Sequence, residues 1–379
     1  MEPINKKYTV TAQVLTPLSI GQGSEKDWVH GVDFLTAEGD DGKLWMYHLN
    51  IAKMIEVGVD VNRISSLFAN GRPQEIKQLV GNKLSQVSDF QMRLPLSIKD
   101  TEGLASPIKT FLRNPLTNRP VLAGSSLKGA IRSVLFADLA KDEDKRKLKE
   151  ERDPNACIFG EMRKDNDFMR FIRVGDFEFE KTCLVNTKIY NLHQEGREWE
   201  GGWKHGANNT NTSFDPIGFN TLYECLPPDA TAKGSIMFAD KLFAMIPNQP
   251  LWSKKQNIIS APDIAIKICD IINDHTFNYL NKEMDFFVEY WQGDGSSNIR
   301  EQIEYLQDMI DNCDTNQCIL KMSAGAGFHA ITGDWQFDDY TDAAQLDRKR
   351  GGELPKSRKI AVSGTKAFAP MGFIKLTFN

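Results

Sequence analysis

Polar and apolar residues alternate from Tyr8 to Thr16, a pattern that predicts a half-buried strand. Pro17 ends it, and Gly21-Gln22-Gly23 makes a tight loop behind it. Leu44–Leu49 reads as a second short strand. From 50 to 92 the apolar positions Ile51, Met54 and Ile55, then Ile76, Leu79 and Val80, follow an irregular helical spacing. Leu127, Ala130, Ile131, Val134, Leu135 and Leu139 recur every three or four residues, which predicts an amphipathic helix with one buried face. Ser125 or Ser126 is its expected N-cap. Phe171–Phe179 and Thr182–Leu192 read as strands. Residues 194–218 lose periodicity and fill with Gly, Asn, Thr and Trp. They predict a long loop, mobile in the free protein and ordered on assembly. Leu222–Leu226 and Ser235–Ala239 read as a hairpin around Pro227-Pro228-Asp229. Two helical patterns follow at 262–291 and 298–312. Gln317–Met322 reads as a strand, 324–328 as a Gly-rich turn entering a short helix, and 372–378 as a last strand.

Strands and helices therefore alternate without a run of parallel βα units. The pattern predicts an α+β fold with antiparallel sheets, built as two ferredoxin-like halves with helical insertions. The expected division is 1–240 and 241–379. At 379 residues and 41% hydrophobic, the chain is large enough for a substantial core. No apolar run approaches the roughly 20 residues that span a bilayer, and the first residues lack the apolar core of a secretion signal. Six scattered cysteines point to a reducing, cytoplasmic setting without membrane contact. The net charge of −5 changes the picture most, because a free-standing, non-specific nucleic-acid binder is normally basic. Any contact with nucleic acid must be local, or made inside an assembly.

One stretch invites such a contact. Leu122 to Arg132 is a small-residue turn feeding a helix. Gly124, Ser125 and Ser126 sit at its start, and Lys128 and Arg132 share a face four residues apart. Free amides and the helix dipole favour an anion there. A P-loop is ruled out by order, because Lys128 precedes Gly129 and alanine follows it. The bland alternative is that the glycines only permit a turn and close packing. A second basic cluster runs from Asp347 to Lys359, with Arg348, Lys349, Arg350, Lys356, Arg358 and Lys359 in a Gly- and Pro-broken loop. It suits a phosphate backbone or is a solvated loop. The third candidate is Gly325, Gly327 and Phe328, where a backbone can approach a ligand and a ring can stack on a base or join the core. The charged run 141–153 reads as a solvated surface. Glu301, Glu304, Asp308 and Asp311 read as the polar face of a helix. The six histidines form no HExxH, no CxxC exists, and no GxSxG appears, so neither a zinc site nor a serine-hydrolase elbow is supported and no cofactor is implied.

Several of these segments together resemble a known family. Leu15-Thr16-Pro17-Leu18-Ser19-Ile20-Gly21-Gln22-Gly23 looks like the opening of RAMP-superfamily CRISPR proteins. Ala123–Arg132 is similar to that superfamily's most specific motif. Ile158-Phe159-Gly160, with Arg173-Val174-Gly175-Asp176, resembles its next signature, and Ser323–Phe328 its Gly-rich loop. The tail, Pro355–Lys359 with Pro370–Leu376, resembles the type III-A (Csm) effector subunit that caps the crRNA 3′ end. Ala324 and Ala326 stand where that branch carries larger residues, and Ser357-Arg358 where it carries Thr-Arg. The resemblance implies RRM-like sheets and a non-catalytic subunit with no catalytic residues and no metal. Its partners would be crRNA, target RNA, backbone and small helical subunits, and host nucleases engaged transiently in crRNA maturation. The RNA-binding residues it implies add Gly21 and Gln22 to the three clusters above. The competing expectations are a RAMP endoribonuclease, with His30, Asp27 and Asp33 as candidate acid–base residues, and the subunit that grips the 5′ handle or a type III-B counterpart.

Overall fold

The computed structural model describes residues 5–70, 72–95, 107–195, 198–205, 210–211, 214, 220–245, 249–291, 293, 295–322, 335, 357–363 and 367–379. In chain order the first elements are β1 (Lys6–Val14), β2 (Phe34–Glu38), β3 (Leu44–Leu49), α1 (Ile51–Glu56), α2 (Val61–Ala69), α3 (Pro73–Val80), β4 (Ser88–Arg93) and β5 (Val121–Leu122). Next come α4 (Gly124–Leu139), α5 (Lys145–Glu150), α6 (Pro154–Phe159), β6 (Ile172–Val174), β7 (Phe177–Glu178), β8 (Cys183–Glu195), β9 (Glu198–Lys204), β10 (Thr210–Asn211), β11 (Asn220–Cys225) and β12 (Thr231–Phe238). The rest are α7 (Asp240–Ala244), α8 (Trp252–Ile259), α9 (Ile264–Tyr290), α10 (Ser296–Asp311), β13 (Gln317–Lys321), β14 (Ser357–Ser363), β15 (Ala367–Pro370) and β16 (Phe373–Phe378).

The fold is α+β with antiparallel sheets, as the alternation predicts. Its first sheet has the order β13-β16-β1-β12-β6. β1 and β6 are joined through α4 and run parallel with β12 between them, a split βαβ unit. β16 lies on the other side of β1, so β16-β1-β12-β6 has the ferredoxin-like strand arrangement, with β13 added at the edge. This sheet draws strands from both sides of residue 240. Alternation in β1 turns Val10, Ala12 and Val14 inward. They meet Leu127, Ile131 and Leu135 of α4 and Ile264, Ile268 and Ile272 of α9 in one core. Asp263 caps α9, its carboxylate accepting from the Ala265 and Ile266 amides.

The second sheet is built on β8. β14 pairs with one edge, and β11 then β9 share the other. Its core gathers Tyr190, Trp203, Phe286, Phe287, Trp291 and Phe368, with α9 and α10. The third sheet, β2-β3-β4, carries α1, α2 and α3 and has its own small core around Met54, Ile64 and Ile76.

Four expectations are corrected. Residues 50–92 are not helical throughout, because Ser88–Arg93 is β4. Phe171–Phe179 is two strands in different sheets, broken at Gly175-Asp176. The 194–218 loop contains β9, whose Trp203 is wholly buried, and β10. Finally, 222–226 and 235–239 are not a hairpin. β11 pairs with β8 and β12 with β1, so the Pro227-Pro228-Asp229 turn carries the chain between sheets. Two prolines end the β11 ladder by removing donors, and Asp229 takes a left-handed φ of 65°. The Gly-rich turn at 324–328 lies outside the described residues.

Candidate nucleic-acid interface

β5 pairs with β7 and delivers the chain to α4. The residue before the helix is Ala123, in extended backbone and with no side-chain cap, so Ser125 and Ser126 lie inside the first turn rather than capping it. The cap comes from elsewhere. Asp176, in the turn between β6 and β7, accepts the Gly124 N–H at 2.7 Å. A Cβ on Gly124 would stand 2.3 Å from the Val174 carbonyl oxygen and 2.7 Å from that of Gly175. Gly124 is therefore the point where helix and strand touch, and its amide is already satisfied by the chain's own carboxylate. That removes Gly124 from the expected anion-binding set. Gly129 has open space where a Cβ would go, and Ser125 is exposed.

Lys128 is half-buried beside this start. Burial lowers its pKa, Asp167 opposes that shift, and Arg132 and Arg173 add to it. Both arginines are therefore close enough to Lys128 to act on its charge. Asp167 is buried behind them, its carboxylate accepting from the Met169 amide at 2.7 Å. The Arg132 guanidinium lies 5.0 Å over the buried Phe159 ring, which fixes its direction. Arg173 is exposed on β6. Lys128 and Arg132 along the first turns of α4 and Arg173 on β6, with an exposed hydroxyl at Ser125, can hold phosphate oxygens without reading a base.

The other expected residues fall elsewhere. Gly21 bridges to Phe111, and the Gln22 side-chain amide donates to the Phe111 carbonyl at 2.7 Å, so Gln22 fastens its own loop. Arg358 is corrected outright. Residues 357–363 are strand β14, and Arg358 is 6% exposed, ion-paired at 3.0 Å with Glu283 of α9 and 3.9 Å over the Phe286 ring. Lys359 donates to the Tyr223 hydroxyl and lies 4.4 Å over that ring, so it too is drawn to the chain's own surface. Gly325, Gly327, Phe328, Arg348, Lys349, Arg350 and Lys356 lie outside the described residues. The acid–base candidates are separately engaged. Asp27 pairs with Lys109, and Asp33 accepts the Val29 amide at 2.7 Å. His30 packs on Phe34, and burial first, then Lys77, lowers its pKa. Among the described residues no three His, Cys, Asp or Glu side chains gather as metal ligands. No described helix is long and apolar enough to cross a membrane.

Sequence reasoning missed Arg173 and Asp176 as site residues. Both sit in the Arg173-Val174-Gly175-Asp176 signature, but their roles depend on β6 lying against the start of α4, a contact 52 residues away in the chain that no local pattern encodes.

This arrangement of a split βαβ sheet, a glycine-gated helix start and a basic face defines the class. The RAMP superfamily profile matches residues 11–314, and the chain belongs to that superfamily. Its fold is similar to that of a chain in the cryo-EM structure of a Csm–crRNA–target RNA ternary complex of a type III-A CRISPR-Cas system. The TM-score is 0.67 at 19% identity, over 98% of this chain and 100% of that one. It is also similar to the crystal structure of T. onnurineus Csm5, with TM-score 0.62 at 18% identity over 96% and 99%. Comparison with curated protein sequences finds no match.

Proposed function

We propose that this chain is a non-catalytic subunit of a type III CRISPR effector ribonucleoprotein, holding crRNA by its backbone and capping the filament at the crRNA 3′ end. The observation that carries this reading is the end-to-end similarity of fold to a chain of the Csm–crRNA–target RNA complex, together with T. onnurineus Csm5. The basic face at the start of α4 supplies the chemistry. Lys128, Arg132 and Arg173 contact phosphates, which suits a subunit that accepts any guide sequence. The acidic total charge confines binding to that face and to surfaces shared with other subunits.

Lys128→Ala with Arg132→Ala should weaken crRNA retention and lower the slope of log affinity against log salt by about 1.4, the share of two phosphate contacts on a single strand. Unchanged RNA occupancy in the purified complex would count against the interface. The position in the filament is tested separately, by crosslinking crRNA and mapping the end that contacts this chain. A crosslink at the 5′ handle would reassign the subunit. The non-catalytic reading is tested by incubating the purified protein with repeat RNA, with and without a divalent metal. Specific cleavage lost in His30→Ala or Asp33→Ala would replace it with the ribonuclease.

A further inference from the structure

Lys255 of α8 is wholly buried, and the site described above does not use it. Its ammonium lies 5.9 Å over the Phe168 ring. That ring packs edge-on against Phe243 at 4.7 Å, and Phe243 lies 5.6 Å from Trp252, so the surroundings are aromatic. Among the described residues the ammonium has no hydrogen-bond partner. A buried cation without a partner costs stability. The residue before Phe168 is Asp167, and its carboxylate is the charge that acts on Lys255. The helices α7 and α9 pack on α8, and no described charge of either does so. Asp263 of α9 caps its own helix and accepts the Tyr8 hydroxyl. Lys254, the neighbour on α8, donates to the Leu139 carbonyl at 3.0 Å and pairs with Glu143 at 3.1 Å. Asp167 also acts on Lys128 at the start of α4. One buried carboxylate is thus shared by a lysine of the interior and a lysine of the phosphate face.

We infer that Lys255 is a positioning residue for RNA binding: its charge holds the Asp167 carboxylate from the inside, so that Asp167 does not cancel Lys128. The inference rests on the phosphate-binding reading of Lys128, Arg132 and Arg173. Asp167 removes one unit of positive charge from that face. Lys255 returns it from the interior without touching RNA. A buried cation suits this task, because salt screens it far less than a surface one. The stability lost by burying Lys255 then has a use. Burial pulls its pKa down to about 8, so the charge is present at neutral pH and is lost as the pH climbs through that value.

The test follows binding of fluorescein-labelled single-stranded repeat RNA to the full-length protein by anisotropy, from pH 7 to 9. Lys255→Met should weaken binding about three- to tenfold at pH 7, the order expected of one charge acting through the protein interior. Its slope of log affinity against log salt should stay unchanged, since no phosphate contact is lost. Wild type should lose more affinity between pH 7 and 9 than the variant does. Lys128 titrates in both proteins, so the difference reports Lys255. In Asp167→Asn, which keeps an acceptor for the Met169 amide, Lys255→Met should leave binding unchanged. A merely structural lysine moves none of these readouts. Equal affinity of wild type and Lys255→Met at pH 7, or parallel pH profiles, overturns the proposal. So does an undiminished loss in the Asp167→Asn background, because Lys255 then acts by another route. If Lys255→Met melts early, wild type and Asp167→Asn supply the same comparison, and the step near pH 8 should be absent from Asp167→Asn. Lys128→Ala separates the two readings. If it leaves RNA binding unchanged, the phosphate face fails and this inference with it. If it weakens binding while Lys255→Met does not, this inference alone fails.

Discussion

Asp176 does two opposed things with one carboxylate. It caps α4 through the Gly124 amide, and it places a negative charge where a phosphate would gain most from the helix dipole. Asp176→Ala should therefore move two measurements in opposite directions. Stability, read from the urea midpoint, should fall by about 1 kcal/mol as the cap is lost. RNA affinity, read by filter binding, should rise, because the freed amide and the missing charge both favour an anion. Affinity that falls along with stability would mean that Asp176 orders the site rather than opposing it. Lys255 is a second residue whose effect can be read directly. It is wholly buried, 5.9 Å over the Phe168 ring, and its ammonium has no hydrogen-bond partner among the described residues. Burial pulls its pKa down from 10.5 to about 8, with Asp167 opposing the shift. Below about pH 8 both folded and unfolded chains carry the proton, and the burial penalty is complete. Between about 8 and 10.5 the unfolded chain holds more protons, so this residue makes stability rise with pH. Lys255→Met should add about 1–3 kcal/mol at pH 7 and remove its share of that rise, measured by urea titration from pH 7 to 10. Lys321 is also pulled down to about 8 by burial, but it donates to the Met371 carbonyl and would leave that oxygen bare if replaced.

Among the elements, α9 joins the two main sheets, and one ion pair ties it to the second. Glu283 of α9 and Arg358 of β14 are both almost fully buried. Arg358→Ala should cost about 3–5 kcal/mol by denaturant unfolding, because Glu283 is left charged and unpaired. Arg358→Met with Glu283→Leu should recover most of that loss. This pair also shows what the sequence hid. Arg358 follows a basic cluster broken by Gly and Pro, and charge density alone makes it look solvated. Its register opposite Tyr190 turns it onto α9 instead. The helices α4, α9 and α10 and the strands β1, β13 and β16 were legible, since period and length agree along each. β9 was not. Its Gly201-Gly202 pair reads as loop, yet Gly201 is there so that the strand can touch Tyr290. In the site, Lys128 and Arg132 were legible from helical spacing. Arg173 and Asp176 were not, because only the sheet brings them to α4.

Across the whole molecule, the first sheet is sewn from both ends of the described chain. β1 is paired along one edge by β12 and along the other by β16, with Val10 opposite Phe378. The Thr16 hydroxyl also accepts the Phe373 amide across 357 residues of sequence. A fragment 1–240 should therefore lack cooperative melting and bind a hydrophobic dye, since Val10, Ala12 and Val14 lose the strands and helix that cover them. Coexpression with 241–379 should restore a single transition in calorimetry. A sharp, independent melt of the fragment alone would show that β12, β6 and α4 suffice to hold β1.

The same pairing sets a clock on synthesis. At roughly 5–20 residues per second, a ribosome needs on the order of 20–70 s between making β1 and making the strand that completes its second edge. For that interval the nascent chain displays a bare β-edge beside apolar side chains, a template for pairing with another chain. Its yield in cells should depend on whatever shields that edge during translation as much as on the stability of the finished fold.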